Sequence, residues 1–219
     1  MHHIQKHILR ALTYTKSAKF SAMRPPKVDS NAYSYHLKVL QKEGYLNKTA
    51  DGYMLSPHGL GYVDRVSLEK FEPRLQPKII TQLLTTDKDD RVLLFSKRKQ
   101  PFIGSWGLPY GKMHLDDSSI EAAAIREAKE KMNLPPVDLQ HVGCCFIEAK
   151  INGEVVSYVQ AHVFRLQLSQ SQVLHPDTQW FSAEQRKALT LLPATEVIID
   201  KAKNASTFFF AHYSVDRPE

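Results

Sequence analysis

Arg126, Glu127 and Glu130 are the residues whose types and spacing offer chemistry most directly. Acids at positions i, i+3 and i+4 of a helix converge on one face, and Glu127 and Glu130 supply the first two of these. Carboxylates so gathered can hold a divalent cation such as Mg2+ or Mn2+, and one of them can take a proton from water. Glu148 and Asp177 are later carboxylates that either complete such a site in space or lie on the surface. His3 and His7 stand one helical turn apart, but with no acid or cysteine nearby they read as surface histidines.

These side chains need a helix and a sheet to hold them. Ser119 is an N-cap for a helix from Ile120 to Met132, in which Ala123, Ala124 and Ala128 permit close approach to a sheet. Ile79 to Leu84 and Val92 to Phe95 read as strands around an Asp87–Asp90 turn, and Val142 to Ala149 and Val155 to Arg165 as a hairpin turning at Asn152-Gly153. A further helix is expected over Ala194 to Lys203 with Val197 and Ile198 inward. It is followed by a tail whose Phe208-Phe209-Phe210 covers either its own core or a partner subunit. A mixed sheet flanked by helices is the expected architecture.

Trp106-Gly107-Leu108-Pro109-Tyr110-Gly111-Lys112 followed by Glu121-Ala122-Ala123-Ala124-Ile125-Arg126-Glu127-Ala128-Lys129-Glu130-Lys131-Met132-Asn133-Leu134 resembles the Nudix box. Trp180-Phe181 fits the same family, so the resemblance covers most of residues 78 to 190 and implies an α/β/α sandwich. It implies that Gly111 adds a backbone carbonyl to a Mg2+ or Mn2+ site with Glu127 and Glu130. By the same likeness Arg126 orients the carboxylates, Glu127 is ligand or base, and Gly111, Lys112 and Lys131 face the ligand. Two departures stand out. Lys131 occupies the place of a metal-binding acid, a change of two charge units that weakens cation binding. The loop also holds one extra residue, so that Asp117 keeps the spacing from Gly111 while Ser118 falls where the motif expects an acid. Asn133 replaces a helix-ending glycine, which its tolerance of the left-handed cap allows. Lys131 either holds a diphosphate in place of a cation or swings outward to pair with Glu127.

The first seventy residues are different in kind. They hold 11 Lys and Arg against 5 Asp and Glu, while residues 71–219 hold 18 of each, so the whole formal excess of +6 lies at the N-terminal end. That imbalance points to a polyanion partner for this region. Ile4, Ile8, Leu9 and Leu12 predict a helix over residues 3–14, Pro25-Pro26 stops a short one near Phe20, and Asp29 or Ser30 caps a third. In that third helix Ala32, Tyr33, Leu37, Leu40 and His36 face inward up to Gly44. A hairpin around Asp51-Gly52 follows, then a helix opened by Ser56-Pro57 with Leu60, Val63 and Val66 on its inner face. Ser34 to Leu46 resembles the recognition helix and first wing strand of ArsR-like winged-helix regulators. That implies double-stranded DNA contacts from Asn31, Ser34, Tyr35 and Lys38, with Lys48 on the wing.

The expected architecture is therefore α+β in two domains. A winged helix-turn-helix spans residues 1–70, Pro73 and Pro77 stiffen a linker over 71–77, and a Nudix-like domain runs from 78 to 219. No apolar run reaches the ~18 residues of a membrane span, and Met1 to Lys6 lacks a signal-peptide core, so a cytoplasmic protein is expected. The only two cysteines, Cys144 and Cys145, are adjacent and read as buried thiols, which excludes a disulfide scaffold. The resemblances together imply a nucleotide-responsive DNA-binding regulator, working as a homodimer, with weak or absent hydrolysis. Some Nudix members pair these domains in the opposite order. The alternative is a Mg2+-dependent pyrophosphohydrolase of nucleoside diphosphates linked to another group.

Overall fold

In the computed structural model, which describes residues 1–67, 69–74, 76–169 and 175–217, the chain forms two units, Met1–Leu75 and Gln76–Glu219. The first begins with α1 (His3–Thr13), whose Ile4, Ile8, Leu9 and Leu12 recur on one face and are buried. A 3-10 turn over Phe20–Met23 leads to α2 (Ser30–Lys42), capped by the Asp29 carboxylate, which accepts from the Asn31 and Ala32 amides. Tyr33, Leu37 and Leu40 of α2 pack on α1, while β1 (Leu46–Thr49) and β2 (Gly52–Leu55) form an antiparallel hairpin before α3 (Pro57–Val63). Helix, short helix, helix, hairpin and helix follow one another as in a winged helix.

Several local expectations shift. The hairpin turns at Ala50-Asp51, since Thr49 pairs with Gly52, and the glycine serves another purpose. A Cβ on Gly52 would lie 2.3 Å from the Ala18 carbonyl oxygen, and Ala18 and Tyr53 exchange backbone hydrogen bonds there. In α3 the buried residue is Gly59, whose Cβ would lie 2.2 Å from the Tyr45 carbonyl, so Leu60 turns outward at 55% exposure. The proposed linker also starts too early. Phe71 is 1% exposed within the first core, and Val66 bridges Pro73, which ties residues 71–74 to the first unit.

The second unit is a mixed sheet between helices. Its elements are β3 (Lys78–Thr86), β4 (Val92–Ser96), β5 (Trp106–Gly107), β6 (Tyr110–Lys112), α4 (Ile120–Met132), β7 (Gln140–Ile151), β8 (Glu154–Gln167), β9 (Thr178–Phe181), α5 (Ala183–Lys187), α6 (Thr195–Lys203) and β10 (Phe209–Arg217). The strand order is β10-β7-β8-β3-β4-β5, with β6 also on β3 and β9 on β4. Alternation along the strands divides the core. Ile80, Leu84, Val92, Leu94 and Val163 join Ile198, Ile199 and Ala202 of α6 on one face. Leu83, Leu93 and Phe164 join Ala124, Ala128 and Met132 of α4 on the other.

Asn152 and Gly153, both at positive φ, turn β7 into β8 as their types require. The neighbours of β3 are less obvious: it meets β4 only at Thr86–Val92 and runs parallel to β8 for nine residues. In α6 the inward residues are Ile198 and Ile199, with Val197 48% exposed. The expected tail is strand β10, parallel to β7, so strand parity buries Phe209 and leaves Phe208 and Phe210 outside.

Candidate functional site

The site grows from the packing of α4. With only methyl groups at Ala123, Ala124 and Ala128, all fully buried, the helix lies close against β3 and β6 and carries Glu127 inward to 3% exposure. The Glu127 carboxylate rests against Gly111. A Cβ built there would sit 1.6 Å from Cδ of Glu127, so only glycine admits this approach. Ser119 caps the helix through the Ala122 amide, and Asn133 closes it at φ 52° and ψ 32°, donating its amide to the Ala128 and Lys129 carbonyls.

Arg126 binds the acids together. Its Nε and Nη2 donate to both oxygens of Asp117 at 2.9 and 2.8 Å, Nη1 donates to Glu127 Oε1 at 2.7 Å, and Nη2 also reaches the Lys112 carbonyl at 2.9 Å. Glu130 Oε1 lies 3.5 Å from the same guanidinium. The Arg126 contact, aided by the His114 amide, holds the Asp117 carboxyl far below the usual carboxylate range, and Asp117 in turn raises the Arg126 guanidinium. Asp117 is thus the working partner of Arg126. The five-residue spacing from Gly111 was its signal in the sequence.

Lys131 settles between its two expected positions. Its ammonium lies 5.4 Å from the Phe95 ring centre and makes no ion pair among the described residues, so it does not neutralise Glu127. Gly111, Lys112, Glu127, Glu130 and Lys131 line one cleft of ≈ 760 Å³, and Arg126 stands behind it. Asp177 also lines the cleft, bound to Arg98 at 2.6 Å. Glu148 does not; it accepts from Ser214 and lies 3.2 Å from Lys150.

The floor of the cleft comes from strand alternation. Lys78, Ile80 and Gln82 on β3 share a face with Tyr110 and Lys112 on β6, because Ile80 pairs with Lys112 and Gln82 with Tyr110. Burial and the nearby Lys112 lower the Lys78 ammonium; burial and Lys78 lower Lys97. Burial, then the Glu127 charge, raises the Tyr110 phenol. Gln82 Oε1 and Glu127 Oε2 are buried without a hydrogen-bond partner. Sequence reasoning passed over Lys78, Gln82 and Lys97, although the alternation of residues 78, 80 and 82 places the first two together.

A divalent cation finds a poor set of donors here. Among the described residues no three His, Cys, Asp or Glu side chains gather for a metal ion. Glu127 Oε1 is engaged by Arg126, Glu130 is half exposed, and Lys131 brings positive charge. Leu83–Pro109 and Ile79–Met113 are hydrogen-bonded, so ladder alternation makes Thr81–Gly111 hydrogen-bonded too and engages one lone pair of the Gly111 carbonyl. The residues do not fit the carboxylate-rich cation site that the motif implies.

In the first unit Asn31, Tyr35 and Lys38 are exposed and Ser34 is half-buried, all on the side of α2 opposite Tyr33, Leu37 and Leu40. Lys48 is exposed on β1. Among the described residues no helix is long and apolar enough to cross a membrane.

Known proteins bear on the second unit. No curated protein sequence matches the chain. The NUDIX domain of Shewanella oneidensis NrtR, solved with ADP ribose, is 18% identical over 66% of this chain and 96% of that one, with a TM-score of 0.50. NrtR from the same organism, solved with a 27mer DNA, is 19% identical over 57% of this chain and 60% of that one, at a TM-score of 0.49. A mutator MutT protein from Bacillus halodurans is 22% identical over 63% and 90%, at 0.49. The first of these likenesses is one of fold. The model of the NUDIX domain matches residues 77–202, more than half of the sequence, and the chain belongs to that family.

Proposed function

We propose that the protein is a nucleotide-responsive DNA-binding regulator in which the NUDIX domain holds a nucleotide diphosphate and hydrolyses it weakly or not at all. The observation that carries this reading is the pairing of Arg126 with Asp117 and Glu127, with Lys131 beside them. A carboxylate oxygen engaged by an arginine is less free to meet a cation, and cations lining a cleft favour phosphate oxygens. Lys112 and Lys131 bind the ligand, Gly111 gives Glu127 its place, and Arg126 and Glu127 serve as positioning residues. Asn31, Ser34, Tyr35 and Lys38 read DNA from α2, and Lys48 meets phosphate from the wing. Ligand binding alters the geometry or dimerisation of the winged helix. The homodimer reads two half-sites in the cytoplasm.

ADP ribose is the probe of choice, since the NUDIX domain of NrtR was solved with it. Duplexes selected from a random-sequence pool should bind the full chain with steep salt dependence, Lys38→Ala and Lys48→Ala should weaken binding, and ADP ribose should shift the affinity. DNA binding that is absent, or indifferent to salt, overturns the regulator reading.

A second reading, a Mg2+- or Mn2+-dependent pyrophosphohydrolase, draws support from the unpartnered Glu127 Oε2. Turnover of nucleotide sugars, dinucleotides or triphosphates with either ion would favour it. On the first reading the wild type is nearly inert and Lys131→Glu, by restoring a third acid to the turn, gains Mg2+-dependent activity.

A further inference from the structure

The cleft contains more positive charge than its acids can match. Its three carboxylates, Glu127, Glu130 and Asp177, all face arginines. Lys78, Lys97 and Lys112 line the same space without an acidic partner among the described residues. The polar contacts of the first two are neutral: Lys78 Nζ meets Ser157 Oγ at 3.4 Å, and Lys97 Nζ donates to the Lys99 carbonyl at 2.9 Å. Partial burial lowers the Lys78 and Lys97 ammonium groups, and repulsion adds to it, from Lys112 on Lys78 and from Lys78 on Lys97. An arrangement that is unfavourable in isolation becomes favourable around a polyanion.

Gln82 is a separate indication of a ligand. It is 8% exposed, lines the cleft, and leaves its Oε1 buried with no donor. An orphaned amide oxygen in a cavity calls for a ligand N–H or O–H. A bare phosphate chain has no such group at high pH, whereas a nucleotide has a base amine and sugar hydroxyls. The apolar walls, Ile80, Ile147 and Val159, suit a base or sugar face.

We infer that this cleft binds the polyphosphate chain of a nucleotide without a divalent ion, with Lys78, Lys97 and Lys112 on the phosphates and Gln82 Oε1 accepting from the base or sugar. This deepens the reading of the NUDIX domain as a ligand site and rests on it. The favoured ligands carry a terminal phosphate beyond the diphosphate, because such a group adds negative charge where the lysines converge. Magnesium then competes with the lysines for the same oxygens and weakens binding.

Titration calorimetry on the full chain in EDTA, with ATP, ADP, ADP ribose and inorganic tripolyphosphate, tests this. ATP is expected to bind at least about tenfold tighter than ADP, a ratio typical of one added charge-assisted contact. Lys78→Gln and Lys97→Gln should reduce that ratio to near unity, while Lys112→Arg, which keeps the charge, should preserve it. Gln82→Met should weaken ATP and leave tripolyphosphate unchanged. Thermal melting guards against misfolding, since each lysine-to-glutamine change relieves repulsion and should raise Tm or leave it unaltered. Equal affinity for ADP and ATP, insensitivity to the lysine changes, or binding that requires Mg2+ overturns the inference. If ADP ribose binds and shifts DNA affinity while the ATP preference is absent, this inference fails and the regulator reading stands. If ATP binds as expected but no nucleotide alters DNA binding, the regulator reading fails and the polyphosphate site stands. Failure of all four probes to bind overturns both.

Discussion

Arg126 shows how one side chain determines what its neighbours can do. Its guanidinium contacts Asp117 and Glu127 directly and approaches Glu130, so it holds the Asp117 carboxyl far below the usual range and occupies a Glu127 oxygen that a cation would otherwise use. Removing it should leave the buried Glu127 charged and unpaired. Arg126→Ala is therefore expected to destabilise the NUDIX unit by about 2 kcal/mol, below the range for a fully buried pair because Arg126 keeps a solvent edge. Urea unfolding read through that unit checks this, and an unchanged midpoint would contradict the pairing. Gly111 belongs to the same argument. Gly111→Ala places a methyl into the Glu127 carboxylate and should cost about 1–3 kcal/mol as overpacking. The arginine, acid and glycine types were legible in the sequence. Asp117 was less so, because the extra loop residue hides which acid reaches Arg126 until the loop has a shape.

At the scale of elements, α4 was readable almost completely. Ser119, the three alanines and Asn133 each have a local reason to be where they are, and the helix runs from Ile120 to Met132 as expected. Asn133 at φ 52° gives a direct test: Asn133→Ala should destabilise by about 1 kcal/mol, the approximate cost of a left-handed L-residue. Asn133→Gly should be neutral or stabilising, and equal effects of the two changes would argue against a conformational cause. The strands were less legible. Phe208-Phe209-Phe210 shows no polar alternation, so a tail and an edge strand look alike until β7 provides a partner. Val197 and Ile199 exchange roles because the faces of a short helix depend on the angle at which α6 meets the sheet, which its own sequence does not set. In the first unit Gly52 and Gly59 are glycines for tertiary reasons, namely the approach of Ala18 and Tyr45.

For the molecule as a whole, each unit buries an acidic group that resists ionisation. Burial pushes the Tyr33 phenol up from 10.0 to about 12 in the first unit and the Cys145 thiol up from 9.0 to about 12 in the second. A group whose pKa rises on folding lends stability that is fully present below its unfolded value and is lost as pH climbs through the folded one. Denaturation of the second unit should therefore become easier from about pH 9 upward, and that of the first from about pH 10. The lowered lysines of the cleft offset part of the effect in the second unit, since the cost of burying their charge, and with it their repulsion, fades as they lose protons over the same range. Cys145→Ala should flatten the pH dependence of the second unit alone; flattening in both, or in neither, would refute the assignment. The amino-acid sequence by itself determined the division into a basic helical unit and a NUDIX unit, the place of the helix that bears Arg126 and Glu127, and the substitution of Lys131 for an acid. The basic unit and the helix follow from composition, capping and periodicity, which act over a few residues, while the NUDIX reading and the departure at Lys131 follow from the likeness of residues 106–134 to the Nudix box. Only the tertiary structure decided that Asp117 holds Arg126, that Lys131 lies over Phe95, and that Lys78, Gln82 and Lys97 share one cleft. Those relations join residues far apart in the chain, and their distances depend on how strands pair and how closely a helix packs on them.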